Sequence, residues 1–372
     1  MSDQGLEGVV AASSAICDVD GIKGILIYRG YDIHDLAQNA TFEEVLYLLW
    51  HGELPNSAQL ASLKADIAAN IELPSQILEM LKGFPAGSPP THALRTAYSA
   101  LSLYDEDLSD NSTEANMRKA IRSTARMGTL VAAISRISEG KEPITPVPAD
   151  SIATNFLHML HGQRPDDVTA HVFDVGLILH ADHEFNASTF AARVTAATLS
   201  DYYSAVTSAL GALFGPLHGG ANAGAIKMLR EIATADRAEE WVKSALGRKE
   251  RIMGFGHRVY KTYDPRAVEL KKMSKALATQ QGDMSLYDIS VKIEEVVLAE
   301  RHLFPNVDFY SASTYTALDI PGALFTPIFA VSRIAGWSAH ILEQFANNRL
   351  IRPRADYTGD RGRTYVPIDQ RE

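Results

Sequence analysis

Thr41-Phe42-Glu43-Glu44-Val45-Leu46-Tyr47-Leu48-Leu49-Trp50-His51-Gly52 is the stretch whose pattern decides the architecture. Its apolar residues at 45, 46, 48 and 49 follow the 3.6-residue period of a helix with one buried face. Thr41 followed three positions later by Glu44 is a capping box, in which each side chain satisfies a backbone N–H that the first turn leaves unpaired. Gly52 stands where a helix closes through a left-handed residue. The same grammar recurs along the chain. Ser112 and Thr113 precede a long segment with Met117, Ile121, Leu130, Val131, Ile134 and Ile137, ended by Gly140. Periodicity predicts further helices over 92–104, 150–162, 166–181, 187–214, 221–233, 237–246, 265–280, 286–303 and 325–346. Strand-like alternation is confined to Ile25 and Ile27 within 24–30, enough for a short hairpin arm. Nothing alternates strand and helix as a parallel sheet requires, and no fixed-period repeat or low-complexity tract is present. The expected fold class is all-α.

Composition narrows the function classes. At 372 residues, 46% hydrophobic and 22% charged, the chain can bury a large core. Its net charge of −10 speaks against a nucleic-acid surface, though not against a pocket of arginines for a small anion. The single cysteine, Cys17, excludes an internal disulfide and multi-cysteine metal sites. The acidic start, with no base before Lys23, resembles neither a secretory nor a mitochondrial leader, so a cytoplasmic location is expected. Tyr202 to Ile226 lacks Asp, Glu, Lys and Arg, but its glycines, Pro216, His218 and Asn222 read as a buried helix running into a glycine-rich loop rather than a membrane span.

Four segments combine titratable residues with glycine or proline: His180-Ala-Asp182-His183-Glu184, Gly215-Pro-Leu-His218-Gly-Gly-Ala-Asn222, Gly254-Phe-Gly256-His257-Arg258 and Pro305-Asn306-Val-Asp308-Phe. Tyr263-Asp264-Pro265-Arg266 follows soon after the third. Taken singly, each has an ordinary reading. His180 and His183 share a helix face without an evident third metal ligand. Gly254-x-Gly256 lacks the last glycine of a dinucleotide loop, and the loop after Gly215 lacks the Lys-Ser/Thr of a triphosphate loop. Asp308 after Pro305-Asn306 suits a turn or cap. Together they supply two hydrogen-bond donors and one base, the set that removes a proton alpha to a thioester or ketone carbonyl. Arg266, Arg333, Arg352 and Arg354 can fork carboxylates.

These residues also carry a family resemblance. Pro216-Leu-His218-Gly-Gly-Ala-Asn222, Gly254-Phe-Gly-His257-Arg-Val-Tyr-Lys-Thr-Tyr-Asp-Pro-Arg266, Pro305-Asn-Val-Asp308-Phe-Tyr-Ser311 and Phe329-Ala-Val-Ser-Arg333 resemble the signature segments of citrate synthases. His180-Ala-Asp-His183-Glu and Asn348-Arg-Leu-Ile-Arg352-Pro-Arg354 match as well. The likeness runs from Gly5 almost to the C-terminus and is nearest to the short Gram-positive type. It implies condensation of acetyl-CoA with oxaloacetate, then hydrolysis to citrate and CoA, as at the entry to the tricarboxylic acid cycle. Asp308 would take the methyl proton, His218 would donate to the thioester oxygen, and His257 would polarise the oxaloacetate carbonyl. His183, Arg266, Arg333 and Arg352 would hold the oxaloacetate carboxylates, with Arg352 supplied by the partner subunit of a homodimer. Arg258 and Lys261 are the candidates for the CoA phosphates.

The resemblance further implies no metal or redox cofactor. It divides the chain into a large helical domain, 1–216 with 321–372, and an inserted small domain, 217–320. It also implies no NADH inhibition through an N-terminal extension. The nearest rival is 2-methylcitrate synthase, which takes propionyl-CoA. Rivals of other classes are a helical interaction protein without activity and a metal-dependent hydrolase built on His180 and His183.

Overall fold

The computed structural model describes residues 4–6, 8–219 and 221–371, with only the backbone of 221–223. The acidic start at 1–3, Glu7, Gly220 after His218 and the side chain of Asn222 therefore lie outside the described residues. Among the described residues the chain forms sixteen α-helices and one small sheet. The all-α class holds, with that sheet as its one qualification.

The sheet comes first in the chain. Strands β1 (Cys17–Asp20), β2 (Ile25–Tyr28) and β3 (Tyr31–Asp32) pair antiparallel in the order β1-β2-β3, with Cys17 opposite Tyr28 and Ile27 opposite Asp32. The hairpin arm expected over 24–30 is thus the middle strand of three. Tyr28 ties the sheet to the helices. Its buried hydroxyl lies 2.9 Å from the Asp182 carbonyl, to which it donates, and accepts the Asp182 N–H at 3.1 Å.

Helices α1 (Ile33–Asn39), α2 (Phe42–His51), α3 (Ser57–Asn70) and α4 (Ser75–Lys82) follow. Both halves of the capping box at Thr41 and Glu44 are formed, and Gly52 closes α2 at φ 88°. Helices α1, α3 and α4 were not foreseen: α1 and α4 are only seven and eight residues long, and α3 has a thin apolar face. Only Leu63 and Ile67 of α3 are buried. Next come α5 (Pro90–Leu101), α6 (Thr113–Ser138), α7 (Ile152–His161) and α8 (Asp167–His180). The Ser112 hydroxyl caps α6 by accepting the Ala115 N–H.

The single helix expected over 187–214 is a misreading. The structure has α9 (Ala187–Ala196) and α10 (Tyr202–Leu213), packed closely on each other. Leu199 turns to φ 63°, and the Asp201 carboxylate accepts the Ser204 N–H as a fresh N-cap, so the hydrogen-bond ladder restarts. Among the described residues no helix is long and apolar enough to cross a membrane.

Helices α11 (Ala221–Ile232), α12 (Ala235–Gly247), α13 (Pro265–Gln281), α14 (Ser285–Arg301) and α15 (Val307–Ala317) pack chiefly on one another, and α13 also touches α1 and α8. Helix α15 was not foreseen; Asn306 caps it and Asp308 lies in its first turn. Helix α16 (Phe325–Ala346) is buried along nearly its whole length against α2, α5, α6, α8, α9 and α10. Each of its fully buried Ile and Phe side chains contributes about 1.5–3 kcal/mol. Beyond it, residues 352–371 run exposed, almost without secondary structure.

Gly336 marks the closest approach of α16 to the turn after α8. A Cβ there would stand 2.2 Å from Asp182 Oδ1 and 2.5 Å from the Ala181 carbonyl oxygen. Both obstacles belong to a rigid, buried turn. Gly336→Ala is therefore expected to cost about 1–3 kcal/mol or more, read as a lowered Tm and denaturation midpoint.

Candidate active site

Three elements converge on one polar cluster: the turn after α8, the loop before α13 and the start of α15. The loop is stitched to α15 by backbone pairing. Gly256 N–H donates to the Phe304 carbonyl at 2.9 Å, Asn306 N–H to the Gly254 carbonyl at 2.9 Å, and Asn306 Nδ2 to the Gly256 carbonyl at 2.9 Å. Gly254 permits this at φ 82°, with a Cβ excluded by Phe309 at 2.7 Å. This seam holds the segment that carries His257 against the one that carries Asp308.

His257 is half-buried, and its Nδ1 accepts two backbone N–H groups, from Val259 at 3.0 Å and Tyr260 at 3.1 Å. The neutral ring must then carry its proton on Nε2, as a donor. Its ring lies edge-on to His183 at 5.4 Å and tilted over Tyr260 at 4.8 Å. His183 is buried in turn, and its Nε2 lies 3.2 Å from the Tyr260 hydroxyl. Burial, with Arg266 next, pushes His257 down to about 4, and burial with Arg266, His257 and Arg333 holds His183 well below the ordinary range.

His218 sits in the turn between α10 and α11. Its Nε2 takes the Ser188 N–H at 3.3 Å and lies 2.9 Å from the Ser188 hydroxyl oxygen. Burial and Arg333 bring it down to about 4. Asp308 is pushed the other way, up to about 6, because burial and nearby Asp264 outweigh Arg266 and Arg333. At neutral pH the site therefore holds three uncharged imidazoles beside the Asp308 carboxylate.

The arginines differ among themselves. Arg333 is 1% exposed; its Nε donates to the His180 carbonyl at 2.6 Å and its guanidinium lies over the Phe329 ring at 4.6 Å. Its two Nη atoms make no hydrogen bond among the described residues, and burial lowers its pKa to about 10. Arg266 is 2% exposed and clasped by Asp264 through Nε at 2.9 Å and Nη2 at 2.7 Å. Arg258 and Lys261 are exposed beside His257, with Lys261 Nζ donating to the Arg258 carbonyl at 3.1 Å. Arg352 stands apart, exposed at the start of the C-terminal segment and without an ion pair among the described residues.

Of the expected residues, His183, His218, His257, Arg266, Asp308 and Arg333 share one electrostatic neighbourhood. Several residues of that neighbourhood were not foreseen: Tyr260, Asp264, Ser188 and Asp182. Asp182 is fully buried, accepts from His340 at 3.3 Å and balances Arg333 from behind. Tyr260 and Asp264 lie inside motifs already noted and could have been found by asking what a histidine and an arginine would bond to. His180 does not join His183; its Nδ1 donates to the Gly176 carbonyl at 2.7 Å. Among the described residues no three His, Cys, Asp or Glu side chains are grouped as for a metal ion.

Known proteins give this cluster its context. Citrate synthase 2 of Bacillus subtilis is 54% identical, over 99% of each chain. The 2-methylcitrate synthase of Shewanella oneidensis is 44% identical, over 100% of this chain and 98% of its own. The citrate synthase of Thermoplasma acidophilum, solved as a ternary complex with carboxymethyl coenzyme A and oxaloacetate, superposes with a TM-score of 0.92 at 35% identity, over 99% of this chain and 98% of that one. The family profile described as citrate synthase, C-terminal domain, matches residues 5–354, and with these relatives it shows that the chain belongs to the citrate synthase family.

Proposed function

We infer that this protein is a citrate synthase, joining the methyl carbon of acetyl-CoA to the ketone carbon of oxaloacetate and hydrolysing the thioester to citrate and CoA. The observation that carries the reading is the protonation pattern of the cluster: neutral, oriented imidazoles beside a carboxylate whose pKa lies at about 6. A base for carbon acids works best near the ambient pH, and a neutral imidazole donates to a developing oxyanion without first delivering its proton.

In this reading the Asp308 carboxylate takes a methyl proton while His218, its Nε2 filled by the Ser188 N–H, donates from Nδ1–H to the thioester oxygen. The enol so formed attacks the oxaloacetate ketone, whose oxygen receives the Nε2–H of His257. The new carbon–carbon bond gives citryl-CoA. Water then adds to its thioester carbonyl, returning one proton to His257 and giving one to the departing sulfur, and Asp308 releases the methyl proton to solvent as citrate and CoA leave. No step is a net oxidation or reduction, and in this reading the imidazoles and arginines carry the developing charge, so the reaction calls for no metal or redox group. Arg333, whose Nη atoms make no hydrogen bond among the described residues, holds one oxaloacetate carboxylate, and His183 and Arg266 lie in the same electrostatic neighbourhood. Arg258 and Lys261, exposed next to His257, suit the CoA phosphates.

The same reading divides the chain into a large lobe, 1–216 with 321–372, and a small lobe, 217–320, with the site in the cleft between them. Closure would exclude water while the enol exists. The exposed C-terminal segment supports a homodimer in which Arg352 completes the partner's site. We place the enzyme in the cytoplasm, at the entry to the tricarboxylic acid cycle.

The first test is release of CoA thiol. Thiol should appear from acetyl-CoA only when oxaloacetate is present, and EDTA should not alter the rate. Acetyl-CoA and propionyl-CoA differ by one methylene, worth about 1–3 kcal/mol in a pocket, so both are expected to react. A tenfold higher kcat/KM for propionyl-CoA would replace the reading with 2-methylcitrate synthase. Asp308→Asn should lower kcat by about 100-fold or more with Tm nearly unchanged, since it removes the base and little packing. Activity should also depend on pH in a defined sense. Asp308 is the base only when deprotonated, so kcat/KM should fall as pH drops through about 6, while the imidazoles stay neutral down to about 4. A flat profile between pH 5 and 7 would contradict the base assignment.

A further inference from the structure

Tyr260 touches both histidines assigned to oxaloacetate, yet the steps above give it no part. It is buried, and its hydroxyl lies 3.2 Å from His183 Nε2, the one hydrogen bond of that hydroxyl among the described residues. Its backbone N–H donates to His257 Nδ1 at 3.1 Å. The phenol ring stands edge-on to the His183 ring, with centroids 5.6 Å apart, and lies tilted against the His257 ring at 4.8 Å. The Arg266 guanidinium carbon lies 5.9 Å from the centre of the same ring.

The tyrosine is a fixed post because its backbone is pinned on both sides. Lys261 N–H donates to the Gly21 carbonyl at 2.8 Å, and a Cβ on Gly21 would stand 2.3 Å from the Val259 carbonyl oxygen. Both partners in the side-chain contact are uncharged. Burial keeps the phenol protonated, and burial with Arg266, His257 and Arg333 keeps His183 neutral. One proton then lies between them, given either by the hydroxyl to Nε2 or by Nε2–H to the hydroxyl oxygen. Either arrangement holds the His183 ring, and loss of the hydroxyl frees it under both. His257 is held differently. Its Nδ1 takes backbone N–H groups from Val259 and Tyr260, which a change of side chain at 260 leaves in place. The hydroxyl therefore acts on His183 and not on His257.

We propose that Tyr260 is a positioning residue which, through its hydroxyl, holds His183 in the orientation that receives oxaloacetate. This rests on the oxaloacetate role given to His183 above. The carboxylate that His183 would hold is present before, during and after formation of the carbon–carbon bond. An interaction of that kind contributes equally to the ground state and the transition state, so its loss raises KM and leaves kcat nearly unchanged.

The test is Tyr260→Phe, which keeps the ring and the backbone N–H on His257 and removes only the hydroxyl. Calorimetry should show the Kd for oxaloacetate raised about fivefold, the worth of one neutral hydrogen bond. KM for oxaloacetate should rise by the same factor, while kcat and KM for acetyl-CoA each move less than twofold. A loss in kcat as large as the rise in KM would mark general distortion and overturn the proposal, as would an unchanged or tighter Kd. With His183→Gln already present, Tyr260→Phe should raise Kd no further. An equal rise in both backgrounds would mean that the hydroxyl acts without His183. In the substrate-free protein the imidazole 15N signals of His183, assigned by their loss in His183→Gln, should shift in Tyr260→Phe; unshifted signals would refute the link. Should Tyr260→Phe not fold, 3-fluorotyrosine placed at position 260 keeps the hydroxyl and gives a single 19F signal. That signal should move on His183→Gln, and an unmoved one would overturn the proposal. The spectra need no substrate, so they stand even if thiol release fails, which would overturn the citrate synthase reading alone.

Discussion

Asp264 is the carboxylate on which the geometry of the cluster hangs. It is 1% exposed and accepts four hydrogen bonds. Oδ1 takes the Arg266 backbone N–H at 3.0 Å and Nε at 2.9 Å; Oδ2 takes Arg266 Nη2 at 2.7 Å and the Val307 N–H at 3.2 Å. One side chain thus caps α13, orients the arginine in its first turn and anchors the start of α15, where Asp308 follows Val307. A buried ion pair of this kind adds little net stability, because desolvation offsets most of the attraction. What it fixes is position. With Asp264 neutralised, a buried guanidinium would be left unpaired, and the two helices would lose their shared anchor.

The electrostatics of the site follow from that arrangement. The chain carries a net charge of −10, yet the cluster is built around two buried cations, Arg266 and Arg333. The overall field would repel anionic substrates, so attraction has to be local and short in range. The same cations, added to burial, keep three histidines neutral far below their ordinary range. Asp308 feels opposed influences. Both arginines and its place in the first turn of α15 favour the carboxylate, while burial and Asp264 favour the acid, and the latter pair wins. Asp264 therefore acts twice, by placing Asp308 and by raising its affinity for a proton.

The small sheet and the long buried helix serve the same end. Lys261 N–H donates to the Gly21 carbonyl at 2.8 Å, so the β1–β2 turn braces the loop that carries His257. Tyr28 braces the turn that carries His183. From the other side α16 brings Arg333, Gly336 and Trp337 against those turns. The sheet thus holds the loops that carry His183 and His257, and α16 holds the first of them from the other side.

The sequence by itself determined the helical class, most helix limits and the residue types of the site. Those signals are local: a capping box at Thr41 and Glu44, a closing glycine at Gly52, histidines set between glycines. It did not determine the break at Leu199, where an apolar run continues through a change of helix, nor α15, whose apolar face is interrupted by serines and threonines. Arg266 shows the limit most clearly. In the sequence it is an arginine free to bind a carboxylate, whereas in the fold half its guanidinium belongs to Asp264. Tertiary structure also decided how far Asp308 is raised and how far His218 is lowered. Those properties depend on burial and on charges arriving from other segments, such as Asp264 beside Asp308 and Arg333 beside His218. No local period or spacing encodes the partner at that distance; only the packed chain brings it within reach.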